Sequence, residues 1–324
     1  MKPVVAISIP TGIGASIGGY AGDFGHIARE FSSHFHTIVN PNAVNGGILS
    51  AINYDMSYLE GYLLDEFFKG KISITPKKPY QTNKIGVIFD SAIPQNILNV
   101  HLNTISALEV VQGIQFVGIE YTSKSVGVQI ELENGISFGS LKNTKTILEC
   151  AYKLIKQGAQ AIAVVCFFGE DSEDENYSNG TGVDPIGGIE AVISHLITKE
   201  FMVPAAHAPA FFDIDISEKI ENKKVSSELI SSTYFPCIAQ GLSIAPKICK
   251  ENEGEISYKD VKYLIVPNDA LGSKAVLSSI ENGVKIITVK NKTALNITPE
   301  KMNIEPYLEF EDYKSCLQEI INKV

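Results

Sequence analysis

The sequence predicts an α/β protein with a parallel or mixed sheet and crossover helices. Short β-branched and apolar runs alternate with segments of helical periodicity along nearly the whole chain. The run AIAVVCFF at 161–168 is apolar without alternation, which is typical of a strand buried on both faces. With 324 residues, 44% of them apolar, the chain lies near the size at which one core divides in two. We therefore expect two Rossmann-like lobes around a cleft.

The first 83 residues are expected to form an N-terminal segment that carries a glycine-rich loop. Apolar and β-branched runs predict its strands, and apolar residues three and four apart predict its helices. The expected elements are, in chain order, a strand at 4–9, a helix at 24–34, a strand at 36–39 and a helix at 49–68. The polar, proline-containing sequence PKKPYQTNK then predicts a boundary before residue 84.

Residues 84–324 are expected to form an α/β body that packs with the N-terminal segment as one unit. Its expected strands lie at 84–89, 116–122, 161–168, 201–206, 263–266 and 285–289, and its expected helices at 97–111, 144–157, 187–200 and 273–281. Residues 124–138 differ, because VGVQIELENGISF alternates around Asn134 and Gly135. This dipeptide strongly favours a two-residue turn, so a hairpin is expected there.

Composition excludes several classes of partner. The net charge is −10, from 37 acidic and 27 basic residues, and no basic run is present, so nucleic acid is not expected to bind.

The start MKPVVAISIP is typical of a buried strand and not of a secretion signal, and no apolar stretch reaches the roughly 18 residues of a membrane span. Five cysteines without a CxxC pair favour a reducing compartment. We expect a cytoplasmic protein; homo-oligomerisation is left open.

The first segment that could carry chemistry is PTGIGASIGGYAGD at 10–23, between a predicted strand and a predicted helix. Glycine lets backbone amides approach a ligand, and a helix N-terminus adds partial positive charge. The segment lacks the Gly-Lys-Ser/Thr of a Walker loop and the glycine spacing of a dinucleotide fingerprint. We expect Gly12, Gly14, Gly18 and Gly19 to hold a phosphate or carboxylate. A tight turn with close helix packing is the alternative.

The second segment is the asparagine-rich loop NPNAVNGG at 40–47. Its side-chain amides offer many donors and acceptors, so Asn42 and Asn45 are candidates to orient a polar ligand. Asparagine also forms local turns, and that role alone would explain the composition.

The third segment is GTGVDPIGGIEAVISHL at 180–196. Asp184 is expected to cap a helix whose first turn carries Pro185. Two glycines in that turn are costly for a helix, so a ligand or another backbone is expected to approach them closely.

Acid–base chemistry is expected where this helix meets the strand that follows it. VPAAHAPA at 203–210 places His207 at the predicted end of a strand, and ligands bind at the carboxyl ends of strands in open α/β sheets. His207, Asp184 and Glu190 are therefore the predicted catalytic groups. Glu190 lies about 1.5 turns into the helix and is expected to be too deep to touch the ligand. A buried structural histidine is the alternative for His207.

The fourth segment is VPNDALGSKA at 266–275, which again joins a strand to a helix. Asp269, Ser273 and Lys274 are candidates to bind an anion or a hydroxyl group. The alternative is that Asp269 caps the helix and Lys274 is solvated. Cys166 ends an apolar strand, where a buried thiol is usually inert.

These segments together resemble a bacterial and plant-plastid family of unknown function over roughly residues 3–300. The resemblance supports a set of matched positions without assigning them roles: Gly12, Gly14, Gly18, Gly19, Asn42, Asn45, Asp184, Glu190 and His207. In layout the chain is also similar to aspartate/glutamate racemases and maleate isomerases, although Asn268 or Asp269 stands where those enzymes have a second cysteine. Residues 184–210 are loosely similar to nicotinate-nucleotide phosphoribosyltransferases.

The expected function is that of an enzyme acting on a small carboxylate or phosphate metabolite by proton transfer, as an isomerase, lyase or hydrolase does. The alternatives are a non-catalytic metabolite-binding or regulatory protein and a phosphoribosyl-type transferase. The sequence identifies neither a cofactor nor a metal ligand set.

Overall fold

Two parallel sheets form the frame of the protein. The computed structural model describes residues 2–20, 22–44, 46–169, 175–212, 222, 224–225, 231 and 233–323. One sheet has six strands in the order β14 (Leu308–Phe310), β13 (Lys285–Val289), β12 (Val261–Pro267), β1 (Val4–Ile7), β2 (His36–Val39) and β3 (Met56–Tyr58). The other has four, in the order β10 (Ala205–Phe211), β9 (Ala161–Gly169), β5 (Lys84–Phe89) and β6 (Gln115–Tyr121). All neighbouring strands in both sheets run parallel, so the α/β prediction is confirmed.

Helices and two small antiparallel pairs complete the described chain. The helices are α1 (Gly25–His34), α2 (Pro41–Val44), α3 (Gly61–Phe68), α4 (Gln95–Gln112), α5 (Thr144–Lys156), α6 (Glu175–Ser178), α7 (Gly187–Phe201), α8 (Phe235–Ile244), α9 (Lys274–Glu281), α10 (Pro299–Met302) and α11 (Tyr313–Ile321). The antiparallel pairs are β4 (Ile72–Thr75) with β11 (Lys247–Lys250) and β7 (Val128–Glu133) with β8 (Ile136–Leu141).

Both faces of each parallel sheet are buried, as is usual for parallel sheets. Val5 and Ile7 of β1 share one apolar cluster with Val87 and Phe89 of β5, so a single core joins the two sheets. Side chains of α3 and α9 cover the other face of the six-stranded sheet. Those of α5 and α7 cover the other face of the four-stranded sheet.

The predicted hairpin is confirmed as β7 and β8. Asn134 and Gly135 both have positive φ, 53° and 75°, the backbone of the turn that this dipeptide favours. β8 packs on α7, so the hairpin reaches the start of that helix.

Two element predictions are wrong. The helix expected over 49–68 is interrupted, because residues 56–58 form β3 and the helix begins only at Gly61, after Glu60 accepts a hydrogen bond from Tyr62 N–H at 2.7 Å. The strand expected over 201–206 begins later: α7 continues to Phe201, and Met202 ends it in the left-handed conformation, with φ 54°. β10 then runs from Ala205 to Phe211, which places His207 inside the strand and not at its end.

The predicted boundary before residue 84 lies between β4 and β5. The six-stranded sheet takes strands from both sides of this boundary. The division into two lobes around a cleft stays a prediction. Within the described ranges, no helix combines the length and the apolar character that crossing a membrane requires.

Candidate functional site

The two glycine-rich segments, 10–23 and 180–188, meet at the carboxyl end of β1. A side chain on Gly12 would lie 2.8 Å from Gly188 Cα, so these two backbones are in direct contact. Tyr20 donates a hydrogen bond from its hydroxyl to Gly182 O at 3.4 Å. The predicted close approach to the glycines at the start of α7 is thus made by a neighbouring backbone.

Several amides of the first glycine-rich segment already have protein acceptors. Gly14 N–H donates to Gly135 O at 2.8 Å, and Ser16 N–H donates to Lys292 O at 3.0 Å. Gly18 N–H donates to the Asp23 carboxylate at 2.9 and 3.1 Å. These three amides are therefore occupied by the protein itself, as in the close-packing alternative. Substrate binding by Gly12, Gly14, Gly18 and Gly19 stays a prediction.

Residues 41–44 of the asparagine-rich segment form the short helix α2 and not the predicted loop, and this segment holds the first glycine-rich segment in place. Asn42 donates through Nδ2 to Pro10 O and to Gly18 O. The neighbouring Asn40 accepts from Ile9 N–H at 3.0 Å. Asn42 therefore has the structural role of bracing the loop, and a role in ligand orientation stays a prediction. Asn45 lies outside the described residues.

One titratable group at this position, Asp23, has a raised pKa. It is half-buried and ends the first glycine-rich segment, directly before α1. Burial raises the pKa of its carboxyl from 3.8 to about 6, although the hydrogen bond from Gly18 and the positive charge of Lys224 act in the opposite direction. Asp23 is not among the site residues that the sequence patterns predict, although an acid that closes a glycine-rich segment is a visible signal.

A lysine and two tyrosines lie beside Asp23. The Lys224 ammonium is 5.0 Å from the centre of the Tyr20 ring and donates to Gly180 O at 3.4 Å. Tyr20 stacks on Tyr177, with ring centres 5.5 Å apart. Lys224 is about 200 positions from Asp23 in the sequence, and its hydrogen bond to Gly180 connects it to the second glycine-rich segment.

The carboxyl end of β12 adds a second carboxylate. Asp269 accepts from Thr293 N–H through Oδ2 at 2.7 Å, while its Oδ1 is buried and has no hydrogen-bond partner among the described residues. Asp23 and Asp269 both lie close enough to the buried Tyr313 hydroxyl for their negative charges to raise its pKa, in addition to the larger effect of burial. Asp23 and Asp269 therefore both act electrostatically on Tyr313.

The cap of α9 is Ser273 and not Asp269, whereas Lys274 is solvated as in the alternative. Ser273 caps α9 by accepting from Val276 N–H at 3.2 Å, and Lys274 is the exposed first residue of that helix. Anion binding by this pair stays a prediction.

His207 and Glu190 form a buried pair on the α7 side of the four-stranded sheet. His207 Nδ1 lies 3.1 Å from Glu190 Oε1, and Nε2 accepts from Cys166 N–H at 3.3 Å. Burial lowers the pKa of His207 to about 3, and the negative charge of Asp90 opposes this shift. The ring is therefore neutral at pH 7, and each nitrogen already has a protein partner. Glu190, expected to lie too deep, is the carboxylate that contacts His207.

The Asp184 carboxylate binds the start of α7. It accepts from Ile186 N–H at 3.0 Å and from Gly187 N–H at 3.2 Å. The expected cap position differs, because Ile186 is the N-cap and the helix begins at Gly187, so Asp184 and Pro185 both precede its first turn. A catalytic role for Asp184 stays a prediction.

Asp90 is a buried carboxylate that no sequence pattern marks as a site residue. It follows β5 and accepts hydrogen bonds from three amides, those of Ala92, Val126 and Phe167, at 3.1 to 3.3 Å. These bonds tie the loop after β5 and the segment between β6 and β7 to β9. The Cys166 thiol next to it is fully buried, and burial raises its pKa well above the usual value, which fits the expectation of an inert thiol.

Replacing Asp23 with asparagine should stabilise the protein above pH 6. The pKa of Asp23 is higher in the folded protein than in the unfolded chain, so its contribution to stability is full below pH 3.8 and is lost as the pH rises through 6. From pH 4 to pH 8 we expect the Asp23→Asn variant to gain about 2 kcal/mol relative to the wild type, measured by urea unfolding. The exposed Glu131→Gln serves as control, and equal pH profiles for all three proteins would refute the expectation.

Comparison with known proteins identifies relatives that also lack an established function. The profile of a family described as "Protein of unknown function (DUF3326)" matches residues 4–321. An uncharacterized lipoprotein of Synechococcus sp. (strain ATCC 27144 / PCC 6301 / SAUG 1402/1) is 34% identical over 305 residues, which are 91% of this chain and 84% of that protein. No solved structure matches the chain. The resemblance drawn from the sequence motifs is thereby confirmed.

Proposed function

Since the chain belongs to the DUF3326 family of proteins of unknown function, we propose an activity from the site itself: an enzyme that moves a proton on a small anionic metabolite. One observation carries the proposal, the half-buried Asp23 carboxyl with its pKa raised to about 6. A general acid or base works best when its pKa lies near the working pH. Asp23 meets this condition, whereas the pKa of His207, lowered to about 3, does not.

The groups around Asp23 suit a carboxylate or phosphate substrate. The Lys224 ammonium supplies a positive charge that acts on Asp23, and the half-buried Tyr177, stacked on the buried Tyr20, provides an aromatic ring. Asp269, whose buried Oδ1 has no hydrogen-bond partner among the described residues, adds a second negative charge at the carboxyl end of β12. In this arrangement Lys224 binds the anion and Asp23 exchanges the proton.

His207, Glu190 and Asp184 have positioning roles in this proposal. His207 forms hydrogen bonds with Glu190 and with the backbone of β9, and Asp184 accepts hydrogen bonds from the amides at the start of α7. These contacts hold α7 against β9 and β10. The second glycine-rich segment, which leads into α7, is thereby kept next to Tyr20. Proton exchange is assigned to Asp23 because its carboxyl is half-buried, whereas the side chain of His207 is only 1% exposed.

Deuterium incorporation tests the proposal with a mixture of candidate substrates. Wild-type protein is incubated in D₂O with a pool of small carboxylates and phosphates, and mass spectrometry detects any compound that gains deuterium at a carbon position. We expect the wild type to label at least one compound and Asp23→Asn to lose at least about 100-fold in rate, the scale of general acid–base catalysis. Asp65→Asn is the matched control, because Asp65 is also a half-buried carboxyl with a raised pKa but lies in α3.

Two other results would overturn the proposal. Equal labelling by wild type and Asp23→Asn would exclude Asp23 as the proton-exchanging group. Binding of a pool member, seen as a thermal shift, without labelling by any protein would favour a metabolite-binding protein.

The proposed location is the cytoplasm, and the proposed partner is a small anionic metabolite and not nucleic acid. The location is supported by the cysteines, all five of which are free. The related cyanobacterial protein is named a lipoprotein, which makes membrane attachment the competing location. Cell fractionation distinguishes the two: recovery in the membrane fraction after a salt wash would contradict the cytoplasmic assignment.

A further inference from the structure

A cavity of about 410 Å³ shares no lining residue with the Asp23 site. Its lining includes Thr75 at the end of β4, Gln115 at the start of β6 and Lys247 at the start of β11. Gln115 pairs with Lys84, the first residue of β5, so the cavity borders the amino end of the four-stranded sheet. The Asp23 site is instead formed at the carboxyl ends of β1 and β12.

Two lysines, Lys77 and Lys247, line this cavity. Lys247 is paired with Thr75 across the β4–β11 ladder, and Lys77 follows two residues after Thr75. Burial and the positive charge of Lys247 lower the pKa of Lys77. Among the described residues neither ammonium has a carboxylate within 4.0 Å, whereas the adjacent Lys78 is paired with Glu255 at 3.4 Å. A half-buried lysine beside the charge of an exposed lysine, with no acidic partner for either among the described residues, favours an added anion.

An aromatic side chain stands at the rim of the same cavity. Tyr80 is fully exposed and has φ 71°, a left-handed backbone that is strained for a residue with a side chain. Its position is fixed by a turn in which Gln81 N–H donates to Lys78 O at 2.9 Å and Gln81 Oε1 accepts from Lys78 N–H at 3.2 Å. The turn therefore presents an aromatic ring at the rim of a cavity whose two lysines have no acidic partner in the part of the chain that the structure describes.

We propose that this cavity binds a mononucleotide, with the phosphate between Lys77 and Lys247 and the base against the Tyr80 ring. The cavity volume is in the range of small-ligand sites. Lysine ammonium groups bind phosphate as point charges, and an aromatic ring stacks on any base. The amide side chains of Gln81 and Gln115 line the same space and can hydrogen-bond the sugar or the base. This site is separate from the proposed catalytic site and does not depend on it.

Calorimetric titration of the full chain with AMP, adenosine and inorganic phosphate tests the proposal. We expect saturable binding of AMP, weaker binding of phosphate and the weakest binding of adenosine. Lys77→Met and Lys247→Met should each weaken AMP binding at least about tenfold. Tyr80→Ala should weaken AMP binding but leave phosphate binding unchanged.

Matched variants separate this site from a general charge effect. Lys78→Met removes one positive charge from the same turn but not from the cavity, and Asp23→Asn alters the other site; both should bind AMP like the wild type. No saturable binding of AMP at millimolar concentration would overturn the proposal. An equal loss for Lys78→Met and Lys77→Met would also overturn it. Binding of phosphate but not AMP, with no effect of Tyr80→Ala, would refute the nucleotide assignment.

Discussion

Replacing Gly188 with alanine should destabilise the protein by about 4 kcal/mol, because the new methyl group has no space. A Cβ at Gly188 would lie 1.9 Å from Ser137 O, a backbone atom of β8 that cannot rotate away. Relief of this clash would separate the first turn of α7 from the hairpin. It would also break the hydrogen bonds from Gly188 N–H to Ser137 Oγ at 3.1 Å and from Ser137 Oγ to Pro185 O at 2.7 Å. Urea unfolding at pH 7 measures the loss.

Gly61→Ala is the matched control for this prediction. Gly61 also lies in the first turn of a helix, α3, but a Cβ there would meet no atom within 4 Å. Alanine favours helices over glycine, so we expect this variant to be unchanged or more stable by about 0.5–1 kcal/mol. Similar small effects of both substitutions would show that α7 and the hairpin are not held in close contact.

Replacing His207 with glutamine should remove much of the acid sensitivity of the fold. Burial lowers the pKa of His207 to about 3, whereas a histidine in the unfolded chain titrates near 6.5. The neutral His207 therefore contributes its full share to the free energy of unfolding above pH 6.5. This contribution is lost as the pH falls towards 3, because the unfolded chain takes up the proton first. One pKa unit corresponds to about 1.4 kcal/mol, so the expected loss is several kcal/mol. Glutamine can donate to Glu190 and accept from Cys166 N–H, but it does not titrate.

Urea unfolding between pH 7 and pH 4 tests this expectation. The free energy of unfolding of His207→Gln should vary less with pH than that of the wild type. His26→Gln, which alters an exposed histidine in α1, should keep the wild-type slope. Some acid sensitivity should persist in His207→Gln, because burial also lowers the pKa of His36, to about 4. An unchanged slope in His207→Gln would show that His207 does not stay neutral in the folded protein.

Local patterns predict many elements of the fold. β13 is expected at 285–289 and lies at Lys285–Val289, and the Asn134-Gly135 turn forms the hairpin. These elements can be predicted because β-branched runs and turn residues with positive φ determine the backbone conformation of only a few neighbouring positions. β3 is not predicted, because its three residues gain their hydrogen bonds from β2, a neighbour that a local pattern does not specify.

The sequence by itself determined where glycines, asparagines and strand ends occur, and thereby which segments could form a site. Tertiary structure decided which side chains meet there. Glu190 contacts His207 because α7 packs on β10, and Lys224 approaches Asp23 across some 200 residues of chain. The pKa of a carboxyl depends on burial and on nearby charges, and both are set by segments distant in sequence. The sequence therefore marked the segment that ends in Asp23, but only packing raised the pKa of Asp23 to about 6.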